Sequence, residues 1–547
     1  MSSPAPNSPA QSDKSRKYDR QLRLWGDHGQ KLLENSKICL INATALGTEI
    51  LKSLVLPGIG AFTIVDGDKV TEEDIGSNFF LDEAHIGASR AQAATECLLE
   101  LNSDVRGDYI DDSPEHIMSQ TQDFFSNFNV VIATALPEKY VFAVKNDVLM
   151  RNFRVLMPLS RQLWTAGIPL LVCRSIGFLG YVRLQIREHT VVESHPDNES
   201  PDLRLDRPWQ ALEEHLNHID VATLGTKERS HVPALTILYY YLQKFKEKHQ
   251  GLLPKTRAEK DELKDMIRRS FPGDCDLLEE NYEQAIKLVN VCVHATQVPS
   301  HIRTLFEDEK CTNLSLESSS FWVICAALSE MVEMEGVLPV RGSLPDMAAD
   351  TTSFIALQQL YMKQAQNQVE SVYRRAMQIS RNLGQAPDAI SEAEVKLFCK
   401  HANELYVLRG NCIADEYQNS CPNVSLHLED AESLMFYYVI LRGLERFISE
   451  YNTYPGQFDD QVEPDVLKLK TLIGKLLTEW GCPAAVISDD RVHEVCRYGG
   501  AELHSVSAVL AGCTAHEVIK LITHQYKPIN NTFIYDAITS TSASFVL

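Results

Sequence analysis

Lys37-Ile38-Cys39-Leu40-Ile41-Asn42-Ala43-Thr44-Ala45-Leu46-Gly47 decides the fold. An apolar strand runs into a short loop, and a helix follows from Glu49 to Leu56. A second strand, Phe62-Thr63-Ile64-Val65, then ends in Asp66-Gly67-Asp68. This is the outline of a dinucleotide-binding βαβ unit, with an acidic group where a ribose would bind. Glycines in such a loop allow a tight turn and let backbone N–H groups approach phosphate. Here Asn42 and Thr44 replace two of them, and only Gly47 remains where the helix begins. The scaffold is kept while the phosphate site is degraded. A βαβ core that never bound a nucleotide fits the same spacing.

Outward from this unit, strands and helices alternate as far as Val172. Strands are expected at Lys37–Ile41, Phe62–Val65, near Tyr109-Ile110, at Val130–Ile132 and Pro169–Val172, with a further one at Gly180–Ile186. Helices are expected near Glu49–Leu56, Gly87–Leu101, Pro114–Phe125 and Glu138–Asn152. That alternation predicts a parallel sheet covered by helices on both faces. After about Asn198 the texture becomes helical and stays so to about Asp490; Phe354, Leu357, Leu360, Tyr361, Val369, Val372, Ala376 and Ile379 recur on one helical face. Ser391 and Glu394 fit a capping box. The pattern then returns to α/β, with a helix over His504–His524 and strands at Thr532–Tyr535 and Ala543–Leu547. The expected architecture is therefore a disordered tail over 1–16, an α/β domain over 17–190, a helical insertion over 191–490 and the rest of the α/β domain over 491–547.

The chain has 547 residues, 44% of them apolar, which is ample for large cores. Its formal net charge of −22 argues against nucleic acid as a partner, because phosphate binding needs clustered Lys and Arg. The 13 cysteines are scattered and include no C-x-x-C pair, so neither a disulfide framework nor a zinc site of that type is expected. No metal ligand set is assigned; His85, His294 and His504 are isolated. No apolar run long enough to span a bilayer and no apolar leader are read from the sequence, so no membrane partner is expected. The expected location is the cytoplasm, with the nucleus as a further compartment.

Tyr18-Asp19-Arg20-Gln21-Leu22-Arg23-Leu24-Trp25-Gly26 reads as a short helix stopped by glycine. It is similar to the first helix of enzymes that activate ubiquitin-like proteins. The degenerate loop, Leu56-Pro57-Gly58-Ile59-Gly60, Val65–Asp68, Pro169–Arg183, His516–Lys520 and Pro528–Tyr535 follow in the order of that family's Rossmann-like adenylation fold, the ThiF/MoeB type. Gly336–Met347 narrows the resemblance to the regulatory halves of the heterodimeric neddylation-activating enzymes. The resemblance covers the chain except its first fifteen residues.

The resemblance implies two related adenylation halves, of which one adenylates the C-terminal glycine of a ubiquitin-like protein with Mg-ATP and passes it to a cysteine thiol. The other half has lost that chemistry. Active halves carry a Gly-rich loop, an Asn-x-x-Arg-Gln run and an Asp at the end of a later strand. Here Asn42, Thr44 and Ala45 occupy the loop, Asn78 is followed by Phe79-Phe80-Leu81, Arg90 stands where lysine is usual, and Ala133-Thr134-Ala135 ends the strand. No cofactor is expected on this chain, and Mg-ATP is assigned to the partner subunit. Asp66 and Asp68 either hold a ribose or close a turn. The family's thioester cysteine lies in a Pro-x-Cys-Thr context. Cys311-Thr312 and Cys513-Thr514 carry only half of it, with Glu309 and Ala511 in place of the proline, and the acidic neighbours of Cys311 are expected to raise its pKa.

By the same resemblance Arg20 reaches across the dimer into the partner's ATP site, with Leu24 and Trp25 anchoring its helix; a solvated salt bridge is the plainer alternative. Arg341, Pro345 and Asp346, in the turn-rich stretch Leu338–Met347, are assigned to the partner interface. The implied partners are the catalytic subunit, the ubiquitin-like protein and a conjugating enzyme. The competing readings are a sumoylation regulatory subunit, an adaptor without chemistry, and an NAD-dependent oxidoreductase, which the missing Gly-x-Gly disfavours.

Overall fold

In the computed structural model, residues 16–547 are described except 122, 137–154, 197–200, 272–277, 418–421, 431 and 484–486. Residues 1–15 of the expected tail and the helix expected at Glu138–Asn152 lie outside the described residues. The strands are β1 (Lys37–Ile41), β2 (Ala61–Val65), β3 (Arg106–Ile110), β4 (Val130–Thr134), β5 (Leu170–Ile176), β6 (Leu179–Gln185), the short β7 (His189–Val191) and β8 (Tyr406–Leu408), β9 (Thr532–Asp536) and β10 (Thr541–Phe545). Eight of them form one sheet in the order β10-β9-β6-β5-β4-β1-β2-β3.

From β3 to β5 the strands are parallel; β6, β9 and β10 run antiparallel to their neighbours. The all-parallel expectation fails at Gly177-Phe178. Two residues join β5 to β6, with Ile176 opposite Leu179 and Gly177 at φ 55°. A link that short permits only a hairpin, since a parallel crossover needs a dozen residues or more. In the central strands every residue of β4 and four of the five in β1 are buried, as expected of a sheet covered on both faces. Leu40 faces Gly47 of the helix Ala45–Val55, which packs against the helix His504–Thr523. Cys39 and Ile41 point the other way, into a core with Val131, Val172, Val439, Leu444 and Phe447.

The chain divides into two compact units, Met1–His189 with Val407–Leu547, and Thr190–Tyr406. Residues 407–490, read from sequence as part of the insertion, pack in the first unit. Helical texture alone could not reveal this. The helix Met435–Tyr451 brings Arg442 and Glu445 to the sheet, where Tyr181 of β6 donates to Glu445 Oε1 at 2.5 Å. Glu416 accepts from Arg183 Nε of β6 at 3.1 Å, from Arg442 Nη1 at 2.5 Å and from Tyr438 at 2.5 Å. Burial pushes the Glu416 carboxyl up, but Arg183 and Arg442 more than offset that and hold it below the usual carboxylate range.

The second unit is helical. Its core joins Leu235, Leu238, Leu242 and Phe245 of the helix Ala234–Lys248 to Leu263, Tyr282, Val289, Leu357 and Tyr361. The helix carrying the last two spans Thr351–Asn382. Only half of the expected capping box forms. Ser391 Oγ accepts from Glu394 N at 3.2 Å, while Glu394 Oε1 takes a hydrogen bond from Ser320 Oγ.

Candidate functional site

The loop after β1 is built to close on itself. Asn42 takes the left-handed conformation, φ 66°, that asparagine tolerates better than most residues. Its Nδ2 donates to Thr134 O at 2.9 Å, and Thr134 Oγ1 donates back to Asn42 O at 2.7 Å. Thr44 caps the Ala45–Val55 helix by accepting from Gly47 N at 3.3 Å. The one retained glycine serves packing, because a Cβ on Gly47 would sit 2.8 Å from Asn42 O.

The candidate ribose group is equally engaged. Asp66 is fully buried. Its Oδ2 accepts from Ala43 N at 2.8 Å and from Arg90 Nε at 2.7 Å; its Oδ1 accepts from Asp68 N at 2.9 Å and from Arg90 Nη2 at 3.2 Å. Arg90 Nη2 also pairs with Asp68 at 2.9 Å, and Nη1 with Asp74 at 3.2 Å. Burial would lower the Arg90 pKa, but Asp66, Asp74 and Asp68 together drive it up. The guanidinium that stands in the place of a phosphate-binding lysine is therefore spent on three carboxylates. Asn78, the survivor of the Asn-x-x-Arg-Gln run, is also internal. Its Nδ2 donates to Ala43 O at 3.2 Å, and its Oδ1 accepts from Thr48 Oγ1 and Phe80 N at 3.0 and 3.1 Å. These residues do not fit Mg-ATP: the ribose carboxylate is saturated, and β4 ends in Thr134, which offers no anionic ligand to the metal.

One residue of this site was not foreseen. Glu502 Oε2 accepts from Leu46 N at 3.4 Å, at the N-terminus of the Ala45–Val55 helix. Burial is the main reason that its pKa rises from 4.5 to about 7; the Leu46 and Ala45 N–H groups, Arg174 and Arg90 act the other way. The turn that delivers it needs glycine. Gly499 and Gly500 have φ 56° and 82°, and a Cβ on Gly500 would lie 2.3 Å from the Tyr454 ring. Gly499-Gly500 was the available sequence signal for that turn, but it gave no indication of what the turn delivers.

The first helix, Asp19–Glu34, continues past the expected stop at Gly26 after a local break at φ 68°, ψ 175°. Its anchor is Tyr18, which is 2% exposed; Tyr18 OH donates to Asp104 Oδ2 at 3.1 Å and accepts from Asn102 Nδ2 at 3.1 Å. Leu24, assigned that role from sequence, is 58% exposed. With Trp25, Cys513, His516 and Lys520 it lines a cleft of about 450 Å³. Trp25 does hold the chain, through Nε1 to Gln30 Oε1 at 3.0 Å and through its carbonyl, which accepts from Gln525 at 2.9 Å. The Arg20 side chain is 89% exposed, and its ion-pair neighbour among the described residues is Asp19 at 4.0 Å.

In the second unit, Arg341 Nη2 donates to Asn403 Oδ1 at 2.8 Å and Glu404 Oε1 at 3.1 Å, so much of its hydrogen-bonding capacity is used within the chain. Asp346 is exposed and Pro345 half-buried. Cys311 is buried and hydrogen-bonded to Cys325. Contrary to expectation its pKa is lowered, because the Cys325 contact outweighs burial and Asp308; Cys325 is pushed up in return. Burial also raises Cys513. The helix carrying Cys513, His504–Thr523, has 20 residues and is long and apolar enough to cross a membrane by length and composition, contrary to the sequence reading. Here its Val506, Leu510 and Val518 are buried in the first unit.

The adenylation-type sheet and its altered loop define a class, and comparison agrees: the ThiF family model matches residues 18–546. A Drosophila melanogaster protein, "Nedd8-activating enzyme E1 regulatory subunit", is 48% identical over 554 residues and is covered along 100% of both chains. The Danio rerio relative of that name is 46% identical, covering 98% of this chain and 99% of its own. An Arabidopsis thaliana relative, "NEDD8-activating enzyme E1 regulatory subunit AXR1", is 37% identical over 97% and 96%. The chain belongs to the ThiF family and, within it, to the regulatory subunits of the NEDD8-activating E1 enzymes.

Proposed function

We propose that this chain is the non-catalytic half of a heterodimer that activates the ubiquitin-like protein NEDD8. The catalytic subunit holds Mg-ATP and attacks the α-phosphate with the C-terminal carboxylate of NEDD8, releasing pyrophosphate. A cysteine of that subunit then takes the acyl group as a thioester, AMP leaves, and a conjugating enzyme receives the modifier. The observation that carries the reading is the closed loop after β1: Asp66, Asn78, Arg90 and Thr134 spend their polar atoms on one another and on the backbone. Arg20, exposed on an anchored helix, is the group offered to the partner's ATP site. Stabilising phosphate charge in trans is established chemistry for arginine. Pro345 and Asp346 supply a partner contact, and Arg341 shapes their loop from within through Asn403 and Glu404. Burial of Cys311 beside Cys325 supports placing the thioester on the other subunit. The cytoplasm and nucleus are the proposed locations.

The test is NEDD8-dependent ATP–pyrophosphate exchange. The chain alone should give none, and exchange should appear when the catalytic subunit is added. Robust exchange by the chain alone would overturn the reading.

A further inference from the structure

A helix N-terminus presents unpaired N–H groups and positive potential, and an adenylation fold uses it to hold nucleotide phosphate. In this chain that position has an occupant. Glu502 Oε2 lies 3.4 Å from Leu46 N, and the Ala45 N–H also faces the same carboxyl. The strand pairing that fixes it is intramolecular: Gly177 N donates to Ala501 O at 2.7 Å, and Gly177 forms a parallel bridge with Glu502. A second cationic group acts on the same carboxyl. Arg174 of β5 is 4% exposed, its Nε and Nη2 lack a hydrogen-bond partner among the described residues, and its charge acts on Glu502. Two buried guanidinium nitrogens without a partner are costly, and the acidic groups that act on this charge are Tyr454, Glu445 and Tyr181 ahead of Glu502.

We propose that Glu502 is an internal plug, its carboxyl occupying the vestigial phosphate position at the N-terminus of the Ala45–Val55 helix and excluding phosphate from it. The inference rests on the reading of this half as non-catalytic, but its mechanism is separate. Loss of the metal and ribose groups makes the site inert, whereas the plug makes it closed. Burial outweighs the N–H groups and guanidinium groups around the acid and drives its pKa to about 7, so near neutrality the plug holds its place without a full charge. Its oxygen remains a hydrogen-bond acceptor in either protonation state.

The experiment measures binding of inorganic pyrophosphate to the purified full chain by calorimetry, at constant ionic strength. Wild type, Glu502→Ala, Glu502→Ser and Glu502→Gln are compared, each first shown to melt cooperatively. Truncation should open the site, so the Ala variant should bind pyrophosphate at least about tenfold more tightly than wild type. If Ala does not melt cooperatively, the Ser variant takes its place. Gln keeps the acceptor oxygen and the volume, and should bind as weakly as wild type. Equal binding by wild type and the truncated variant would overturn the plug. So would a Gln variant that binds as tightly as Ala, because charge repulsion rather than occupancy would then be responsible. Neither result touches the non-catalytic reading, which is decided by exchange activity.

Discussion

Replacing Arg20 by alanine separates a trans-acting residue from a surface one. The side chain is 89% exposed and its ion-pair neighbour among the described residues is Asp19 at 4.0 Å, so the chain itself should lose within about 0.5 kcal/mol of stability. Tyr18, two residues earlier, stays locked to Asp104 and Asn102, so the helix should keep its position and the heterodimer should assemble. If the guanidinium meets ATP phosphate in the partner's desolvated site, a charge-assisted hydrogen bond worth about 1.5–3 kcal/mol disappears. At about 1.4 kcal/mol per factor of ten, ATP–pyrophosphate exchange should fall roughly ten- to a hundredfold. The loss should appear in the ATP-dependent step, with NEDD8 affinity little changed. Arg20→Lys should recover part of it, since charge returns without the planar fork. A mutant heterodimer exchanging pyrophosphate with unchanged ATP dependence would refute the argument and leave Arg20 as a solvated surface charge.

Substituting serine for Cys311 or Cys513 should leave the yield of the reducible NEDD8 thioester unchanged; a thioester mapped by mass spectrometry to any cysteine of this chain would contradict the assignment. Glu416→Gln should destabilise the first unit by about 3–5 kcal/mol in chemical unfolding, because Arg183 loses its buried counter-charge and Arg442 loses one of its two carboxylate partners, keeping Glu445. Glu502 should give the folded chain a pH dependence. Its folded pKa of about 7 lies above the ordinary 4.5, so the folded chain keeps a proton that the unfolded chain has released. That contribution is complete below about 4.5 and is lost as pH rises through about 7, amounting to about 1–3 kcal/mol after allowance for partial exposure of the residue. Glu502→Gln should flatten that part of the melting-temperature profile, and an unchanged profile would count against the shift.

The strands around the loop were legible because an apolar run of four to seven residues bounded by turn signals has few alternatives: β1 matches its expected bounds, and β2 and β9 differ by one residue. Sheet direction at β6 was missed because the expected strands, Pro169–Val172 and Gly180–Ile186, hid the two-residue link Gly177-Phe178 that makes the pair a hairpin. Residues 407–490 were misplaced because helices carry the same periodicity wherever they pack. Their allegiance is fixed by single contacts such as Arg183 to Glu416, and these have no local signature. At the loop, the loss of all glycines but Gly47 could be read directly. What fills the space could not, because Glu502 arrives from 456 positions away. The same limit applies to Leu24 and Tyr18, since residue type does not say which of two apolar neighbours is turned inward.

The central sheet places β9 directly beside β6, with Tyr181 opposite Ile534, although nearly 350 residues of chain separate the two. A ribosome adding about 5–20 residues per second takes roughly 20–70 s to cover that distance. Throughout that interval β6 has emerged with an unpaired edge, and the uninterrupted segment Thr190–Tyr406 has all of its own residues only for the last part of it, once Tyr406 has been added. An exposed strand edge of this kind is a template for association with other chains. During synthesis, then, the outer edge of β6 stays open until Thr532–Asp536 arrives to pair with it.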